Sequence, residues 1–181
     1  MKKFLTGICL FTLIFIFSAN EGISQELSAG IDIGGGNISG NTVNIGSYNL
    51  SFFVQSKSYF EDNLYLRLSM LYAQDINLPL GSTRSYYPFI KGFSLKAILF
   101  QDAGSLLYLE EGAGLLYLND RTLSYKNTDD FGTVFSILAG LDLTGFDNRG
   151  IKLGLGMEYG ITFNNTLAKY YSLYLQTQYF F

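Results

Sequence analysis

The sequence predicts an all-β protein, an eight-stranded antiparallel up-and-down transmembrane β-barrel preceded by a cleaved signal peptide. The composition favours strands, since 48% of residues are hydrophobic and 17% aromatic, with 20 Gly and only 2 Pro. Apolar residues alternate with small or polar ones over most of the chain. No helical segment separates the alternating stretches, and this excludes the crossovers that parallel strands require.

The N-terminus has the features of a targeting segment. Lys2 and Lys3 precede an apolar run over residues 4–17, and Gly22 and Ser24 offer a small-residue cleavage site. The run is shorter than the roughly 20 residues that a membrane-spanning helix needs. We therefore predict a signal peptide over residues 1–24 and one barrel domain over residues 25–181. The single cysteine of the chain falls within the segment removed, so no disulfide is expected in the exported protein.

Eight stretches alternate with period two and are predicted strands. The seventh is the most regular, because apolar residues from Ile151 to Phe163 alternate with Lys152, Glu158 and glycines. In chain order the stretches are LSAGIDIGG, YNLSFFVQSK, NLYLRLSMLYAQ, YPFIKGFSLKAILF, LLYLEEGAGLLYL, VFSILAGLDL, IKLGLGMEYGITF and YYSLYLQTQYFF. Closing such a meander into a barrel removes both of its exposed edges.

The connections between these strands alternate in character. Longer polar stretches follow the first, third, fifth and seventh strands, namely GGNISGNTVNIG, DINLPLGSTRS, NDRTLSYKNTDD and NNTLAK. Tighter links, YFEDN, QDAGS and TGFDNRG, follow the second, fourth and sixth. Bacterial outer-membrane barrels have this asymmetry, with short periplasmic turns and longer extracellular loops.

The composition of the polar face separates a membrane barrel from a soluble one. A secreted ligand-binding barrel of the lipocalin type would point its apolar face inward and cover its outside with charged residues. Here the polar face consists mostly of Gly, Ser, Asn, Gln and Thr, which suits a narrow interior. We therefore expect the apolar face to contact lipid.

Two sets of residues follow from this orientation. The first is an aromatic girdle at the ends of strands next to the longer connections, comprising Tyr48, Tyr72, Tyr87, Tyr117, Phe163 and Tyr171. The second is a set of interior charges on the polar face, comprising Asp32, Arg67, Lys96, Glu110, Asp142, Lys152 and Glu158. Because a buried charge is tolerated only when it is paired, we expect these side chains to form an ion-pair network that plugs the lumen.

The stretches LEEGAGLLYL, ILAGLDL and the terminal YLQTQYFF, together with the signal peptide, resemble the small outer-membrane β-barrels of the OmpA/OmpX-like, porin-family superfamily. In that family the last strand carries a sorting signal that the barrel assembly machinery recognises. Leu173, Leu175, Tyr179 and Phe181 match its pattern, whereas Thr177 departs from it. The resemblance implies an integral protein of the Gram-negative outer membrane, with membrane lipid and the assembly machinery as its partners. We expect a monomer.

Catalysis is not expected. Outer-membrane barrels that are enzymes rely on a histidine as general base, and this chain has 0 His. A pair such as Ser94 and Lys96 shares the polar face and is interpreted as barrel lining. No cofactor or metal is expected. A net charge of −3 does not indicate the basic surface that nucleic-acid binding requires. The leading hypothesis is a structural or surface-interaction role with a plugged lumen. A narrow channel for ions or small solutes and a lipocalin-like binding barrel are the alternatives.

Two charged residues depart from the pattern. Glu110 and Glu111 are adjacent, so one of them falls on the apolar face unless a bulge shifts the register. We expect Glu111 to lie away from the middle of the membrane. Lys91 also falls on the apolar face, and we expect either that it reaches the head groups or that Pro88 breaks the phase nearby.

Overall fold

The computed structural model describes residues 26–40, 44–77, 88–122, 126–144 and 149–181. Its elements are the strands β1 Leu27–Ser39, β2 Asn44–Lys57, β3 Leu64–Asp75, β4 Phe89–Asp102, β5 Leu107–Asp120, β6 Thr128–Thr144, β7 Gly150–Thr162 and β8 Lys169–Phe180. Among the described residues, no helix is long and apolar enough to cross a bilayer. The predicted signal peptide lies outside the described residues.

The strands form one closed antiparallel barrel in which each pairs with the next and β1 closes on β8. The predicted count, order and closure are confirmed. The paired residues can be followed once around the barrel, starting from Glu110 on β5. The circuit returns to β5 at Asp120. It passes through Leu138, Gly156, Tyr174, Gly34, Asn49, Ala73 and Ile90. This offset of ten residues fixes how steeply the strands tilt around the axis.

Side chains alternate between the two faces of the barrel wall as predicted. Large apolar residues point outward, and Leu115, Leu155 and Leu175 remain 69%, 63% and 66% exposed. Their strand neighbours point into the lumen and are buried. A lipocalin-like barrel requires the opposite orientation, so that alternative is wrong.

The connections differ from the sequence-based expectation. β1 extends to Ser39 and β2 begins at Asn44, so the first of the supposedly longer connections shrinks to residues 40–43. Backbone pairing continues through Asn37 and Gly46 to Ser39 and Asn44. The connection 76–88 is much the longest, whereas 163–168 matches the β2–β3 turn 58–63 in length. We call the end that holds connections 40–43, 76–88, 121–127 and 163–168 the loop end, and the opposite end the turn end.

Candidate functional site

The lumen is the part of the barrel that gathers chemically reactive side chains, and Arg67 lies near its centre. The guanidinium Nη2 of Arg67 donates to Glu110 Oε2 at 2.6 Å, and both side chains are buried. Its Nε donates to Gln55 Oε1 at 2.7 Å and its Nη1 to Gln176 Oε1 at 3.1 Å. The Phe53 ring lies 4.2 Å from the guanidinium carbon. Side chains from three other strands, β2, β5 and β8, thus contact one cation and compensate its charge.

A second ion pair joins β4 to β7. Lys96 Nζ donates to Glu158 Oε2, and the Tyr170 hydroxyl donates to Glu158 Oε1 at 2.6 Å. All three side chains are buried. Glu158 therefore has a donor on each carboxylate oxygen, and the pair is compensated without water.

The third ion pair lies towards the turn end and is enclosed by aromatic rings. Lys152 Nζ is 2.7 Å from Asp142 Oδ2, and Asp142 Oδ1 accepts from the Thr144 amide at 2.9 Å. The ammonium also lies 4.0 Å from the Phe100 ring centroid and 4.7 Å from that of Phe180. Cation–π attraction to these rings adds to the ion pair.

Asp32 is the fourth interior carboxylate, and it makes no ion pair among the described residues. It is 7% exposed, and its Oδ1 has no hydrogen-bond partner. Asn49 Nδ2 is likewise unpaired and lines the same small cavity of about 10 Å³, with Ser51, Glu158 and Ser172 close by. An unpaired acceptor and an unpaired donor around a space of this size suit one water molecule.

Two apolar clusters fill the lumen on either side of the Arg67–Glu110 and Lys96–Glu158 pairs, and β5 gives their order. Tyr108 belongs to the turn-end cluster, Glu110 to the charged middle, and Leu116 and Leu118 to the loop-end cluster. The turn-end cluster comprises Tyr65, Ile98, Phe100, Tyr108, Leu138, Tyr174 and Phe180. The loop-end cluster comprises Ile38, Leu71, Ala73, Ile90, Leu116, Leu118, Val134, Ala168 and Tyr170. The third pair, Lys152 with Asp142, lies among the rings of the turn-end cluster.

Glycines on the inner face give the aromatic rings of the lumen their space. A Cβ on Gly160 would lie 2.2 Å from Tyr170 Cε1, and one on Gly156 would lie 2.6 Å from Tyr174 Cζ. Both tyrosines are buried and project from β8 across β7. Glycine at these positions is thus required for the two tyrosine rings to pack inside the barrel.

Two buried aspartates fasten the connection 163–168 at the loop end. Asp130 Oδ2 accepts from the amides of Asn165 and Thr166 at 2.9 and 3.0 Å, and its Oδ1 accepts from the Asn164 amide at 3.1 Å. Asp120 Oδ2 accepts from the Thr166 hydroxyl at 2.7 Å. Neither aspartate was singled out by the sequence. Leu167 adopts a left-handed backbone with φ 47°, so this connection is held in one strained shape.

The structure brings all seven predicted interior charges to the inner face and joins six of them in three ion pairs. The sequence pattern did not single out the amide and aromatic partners, chiefly Gln55, Gln176, Tyr170 and Phe100. The inward leucines of β5 were also missed, although the run LLYL places apolar residues on both faces and is a signal of two-sided burial.

The predicted girdle residues in the described ranges lie on the outer face towards the loop end. Phe163 and Tyr171 are 57% and 37% exposed, and Tyr48 donates to Gln74 Oε1 at 2.8 Å. Tyr72 donates to the same oxygen, and the Tyr117 ring packs 5.1 Å from that of Phe131. Tyr87 lies outside the described residues. Their role as a girdle stays a prediction.

The side chains of the predicted assembly signal point outward along β8 and the residue that follows it. Leu173, Leu175, Tyr179 and Phe181 are 49%, 66%, 47% and 61% exposed. Their recognition by the barrel assembly machinery stays a prediction.

Glu111 points outward. The register of β5 with β4 and β6 is continuous, so no bulge turns this side chain inward. Glu111 is the third of the seven outward positions of β5, which are Leu107, Leu109, Glu111, Ala113, Leu115, Tyr117 and Asn119. Its depth in a membrane stays a prediction. Lys91, by contrast, is the third residue of β4 and lies near the loop end, 5.7 Å from the Phe89 ring, with no break in phase.

Among the described residues, no group of three or more potential metal ligands comes together.

No protein-family model matches the sequence, and no curated protein matches it. Solved structures match by fold. The crystal structure of Neisserial surface protein A gives a TM-score of 0.67 at 12% identity and covers 88% of this chain and 99% of its own. The chain has the fold of the small outer-membrane β-barrels. Ail, the attachment invasion locus protein of Yersinia pestis, in complex with the heparin analogue sucrose octasulfate, gives a TM-score of 0.55 at 12% identity, with 88% and 100% coverage. The fold that the resemblance implied is confirmed.

Proposed function

We propose that this protein is a non-enzymatic integral protein of the outer membrane whose lumen is closed and whose loop end serves a structural or surface-interaction role. The membrane location is supported by the outer face, where large apolar side chains stay exposed on all eight strands. An apolar surface of this extent around a closed barrel is stable in lipid and unstable in water. The loop end would face the cell exterior.

The closed lumen is supported by the order of its three layers, which are the turn-end cluster, the charged middle and the loop-end cluster. An apolar cluster at each end flanks the two buried pairs Arg67–Glu110 and Lys96–Glu158, and the cavity beside Asp32 measures only about 10 Å³. An ion crossing this path would have to leave water, pass two apolar layers and break compensated charge pairs, at a cost of several kcal/mol per ion. The narrow-channel alternative has no support in this geometry.

The surface role is supported by the hydrogen bonds that hold the connection 163–168 at the loop end. The amides held by Asp130 and the hydroxyl held by Asp120 fix the connection 163–168 against the barrel. A fixed surface loop binds a partner without first losing conformational entropy. The absence of any histidine in the chain argues against the hydrolytic mechanisms known for barrel enzymes.

Conductance measurement tests the proposal. The mature barrel, folded into planar bilayers, should show no stable open state, whereas a trimeric porin inserted under the same conditions should conduct. Stable openings on the nanosiemens scale would contradict the closed lumen. Recovery of the native protein from the periplasm without detergent would contradict the membrane location.

A further inference from the structure

Two stretches of chain from opposite walls of the barrel meet over the loop-end mouth of the lumen. Gly40 follows β1, and Thr122 lies two residues beyond β5. In the closed order of the strands, β5 lies halfway around the barrel from β1, so these two walls face each other across the lumen. A Cβ on Gly40 would nevertheless lie 2.7 Å from Thr122 Oγ1 and 3.0 Å from Thr122 Cβ. The chain therefore bridges the mouth at this contact.

Asp120 joins the contact to the connection 163–168. Its Oδ1 accepts from the Thr122 hydroxyl at 2.8 Å and from the Thr122 amide at 3.2 Å. Its Oδ2 accepts from the Thr166 hydroxyl at 2.7 Å, and all three side chains are buried. Asp130, by contrast, holds only the connection 163–168 and its own strand. Asp120 is thus the carboxylate that ties the bridge from β1 to the chain that enters β8.

Apolar side chains next to this bridge are shielded from water. Ile38 lies two residues before Gly40, and Ala168 lies two residues after Thr166. Both belong to the loop-end cluster, and they are 1% and 0% exposed. Because contact between apolar side chains and water is unfavourable, an uncovered mouth would leave these outermost members of the cluster partly exposed. Their burial indicates that the mouth is covered.

We propose that Gly40, Thr122 and Thr166 form a lid over the loop-end mouth, and that the Asp120 carboxylate is the latch that holds it closed. Each oxygen of Asp120 holds a different side of the lid, so losing this one group frees both sides. The lid excludes water from the loop-end cluster, and it is a seal separate from the ion pairs of the charged middle. The inference rests on the proposed closed lumen and identifies the place where the lumen can be opened.

Cysteine cross-linking in isolated membranes tests the contact across the mouth. The full chain carries Gly40→Cys and Thr122→Cys together with Cys9→Ser, and the membranes are oxidised with copper phenanthroline. The Cβ separation of 3.0 Å is close to the roughly 3.5–4.5 Å that a disulfide requires. We expect an intramolecular disulfide, seen on a non-reducing gel as faster migration of the denatured chain and reversed by a reductant. Gly46→Cys with Thr122→Cys is the matched control and should give none, because among the described residues a Cβ on Gly46 meets only Ile76 within 4 Å.

Labelling of a buried cysteine tests the latch. Ala168→Cys, in a chain without other cysteines, places a thiol in the loop-end cluster, where it should resist a charged, water-soluble maleimide while the lid is closed. Asp120→Ala removes the acceptor of the buried Thr122 amide and the nearer of the two acceptors of the Thr166 hydroxyl. Labelling should then accelerate about tenfold or more, because the lid opens locally. Asp62→Ala removes a 97% exposed carboxylate at the turn end and should leave the labelling rate unchanged.

The outcomes separate the lid from the closed lumen. Absence of the disulfide in a membrane-embedded barrel, or an equal yield from the Gly46→Cys control, would overturn the lid while leaving the closed lumen intact. Unchanged labelling of Ala168→Cys after Asp120→Ala would overturn the latch. Equal labelling of Ile98→Cys, which lies buried in the turn-end cluster, would show that the whole barrel has opened and would overturn the latch as well. Stable conductance by the native barrel would instead contradict the closed lumen.

Discussion

Arg67 Nη2 lies 2.6 Å from Glu110 Oε2 at the centre of the lumen, and the two side chains are 1% and 3% exposed. Removing one partner of such a pair leaves the other charge buried and uncompensated, at a cost of about 3–5 kcal/mol. We expect Glu110→Gln to lower the unfolding free energy by an amount in this range. Urea titration of the barrel in lipid vesicles measures it.

An exposed ion pair supplies the control for this measurement. Lys57 Nζ lies 3.5 Å from Asp62 Oδ1, and the two side chains are 29% and 97% exposed. Lys57→Met should change the unfolding free energy by less than about 1 kcal/mol, as is usual for surface pairs. Equal effects of the two substitutions would show that the lumen is hydrated and that Arg67 is not buried from water.

Asp32 and Glu158 are both buried acids, yet they should respond oppositely to amide substitution. Glu158→Gln removes the charge that Lys96 and Tyr170 contact and should destabilise the barrel by about 3 kcal/mol or more. Asp32→Asn removes a carboxylate without an ion pair and should leave stability unchanged or raise it. Comparing their urea midpoints checks both effects. A large loss with Asp32→Asn would mean that Asp32 holds a charged partner.

Gly160 should not tolerate a side chain. Alanine there places a Cβ 2.2 Å from Tyr170 Cε1, so the ring has to move and its hydrogen bond to Glu158 is disturbed. Overpacking of this kind costs about 1–3 kcal/mol. Gly35→Ala is the control, because its new Cβ would approach nothing closer than 3.5 Å. The difference in heat-dependent gel mobility between the two variants tests the packing, and equal behaviour would argue against it.

Asp130 should govern the mobility of the connection 163–168. Asp130→Ala removes the acceptor of three loop amides, of which the Thr166 amide is buried, and a buried donor left unsatisfied costs about 1–3 kcal/mol. Amide hydrogen exchange at residues 164–166 should accelerate at least tenfold while the strands stay protected. In Asp129→Ala these amides should exchange at the native rate, because Asp129 contacts Asn165 through its backbone oxygen only. Unchanged exchange in Asp130→Ala would show that the loop is held by other contacts.

Most of the architecture could be predicted from the sequence because period-two alternation fixes which side chains share a face. The absence of a bulge at Glu110 and Glu111 could not, since register depends on the pairing of β5 with both neighbouring strands. The alternating pattern also did not predict which side chains point inward between Leu115 and Leu118. Both faces of β5 are apolar there, so the sequence shows one continuous apolar run. The partners of Arg67 lie on β2, β5 and β8, and no local signal links Gln55 to Gln176. The connections 40–43 and 121–127 were overestimated because backbone pairing continues beyond the apolar stretches.

The uninterrupted register of the eight ladders has an evolutionary consequence. Because every described strand pairs residue for residue with both neighbours, gaining or losing one residue within a strand would turn its remaining lumen-facing side chains towards lipid. Descendants of this gene can therefore change length only where the chain leaves the sheet. Diversification, and with it any new specificity, should concentrate in residues 40–43, 76–88, 121–127 and 163–168 while the strands change by substitution alone.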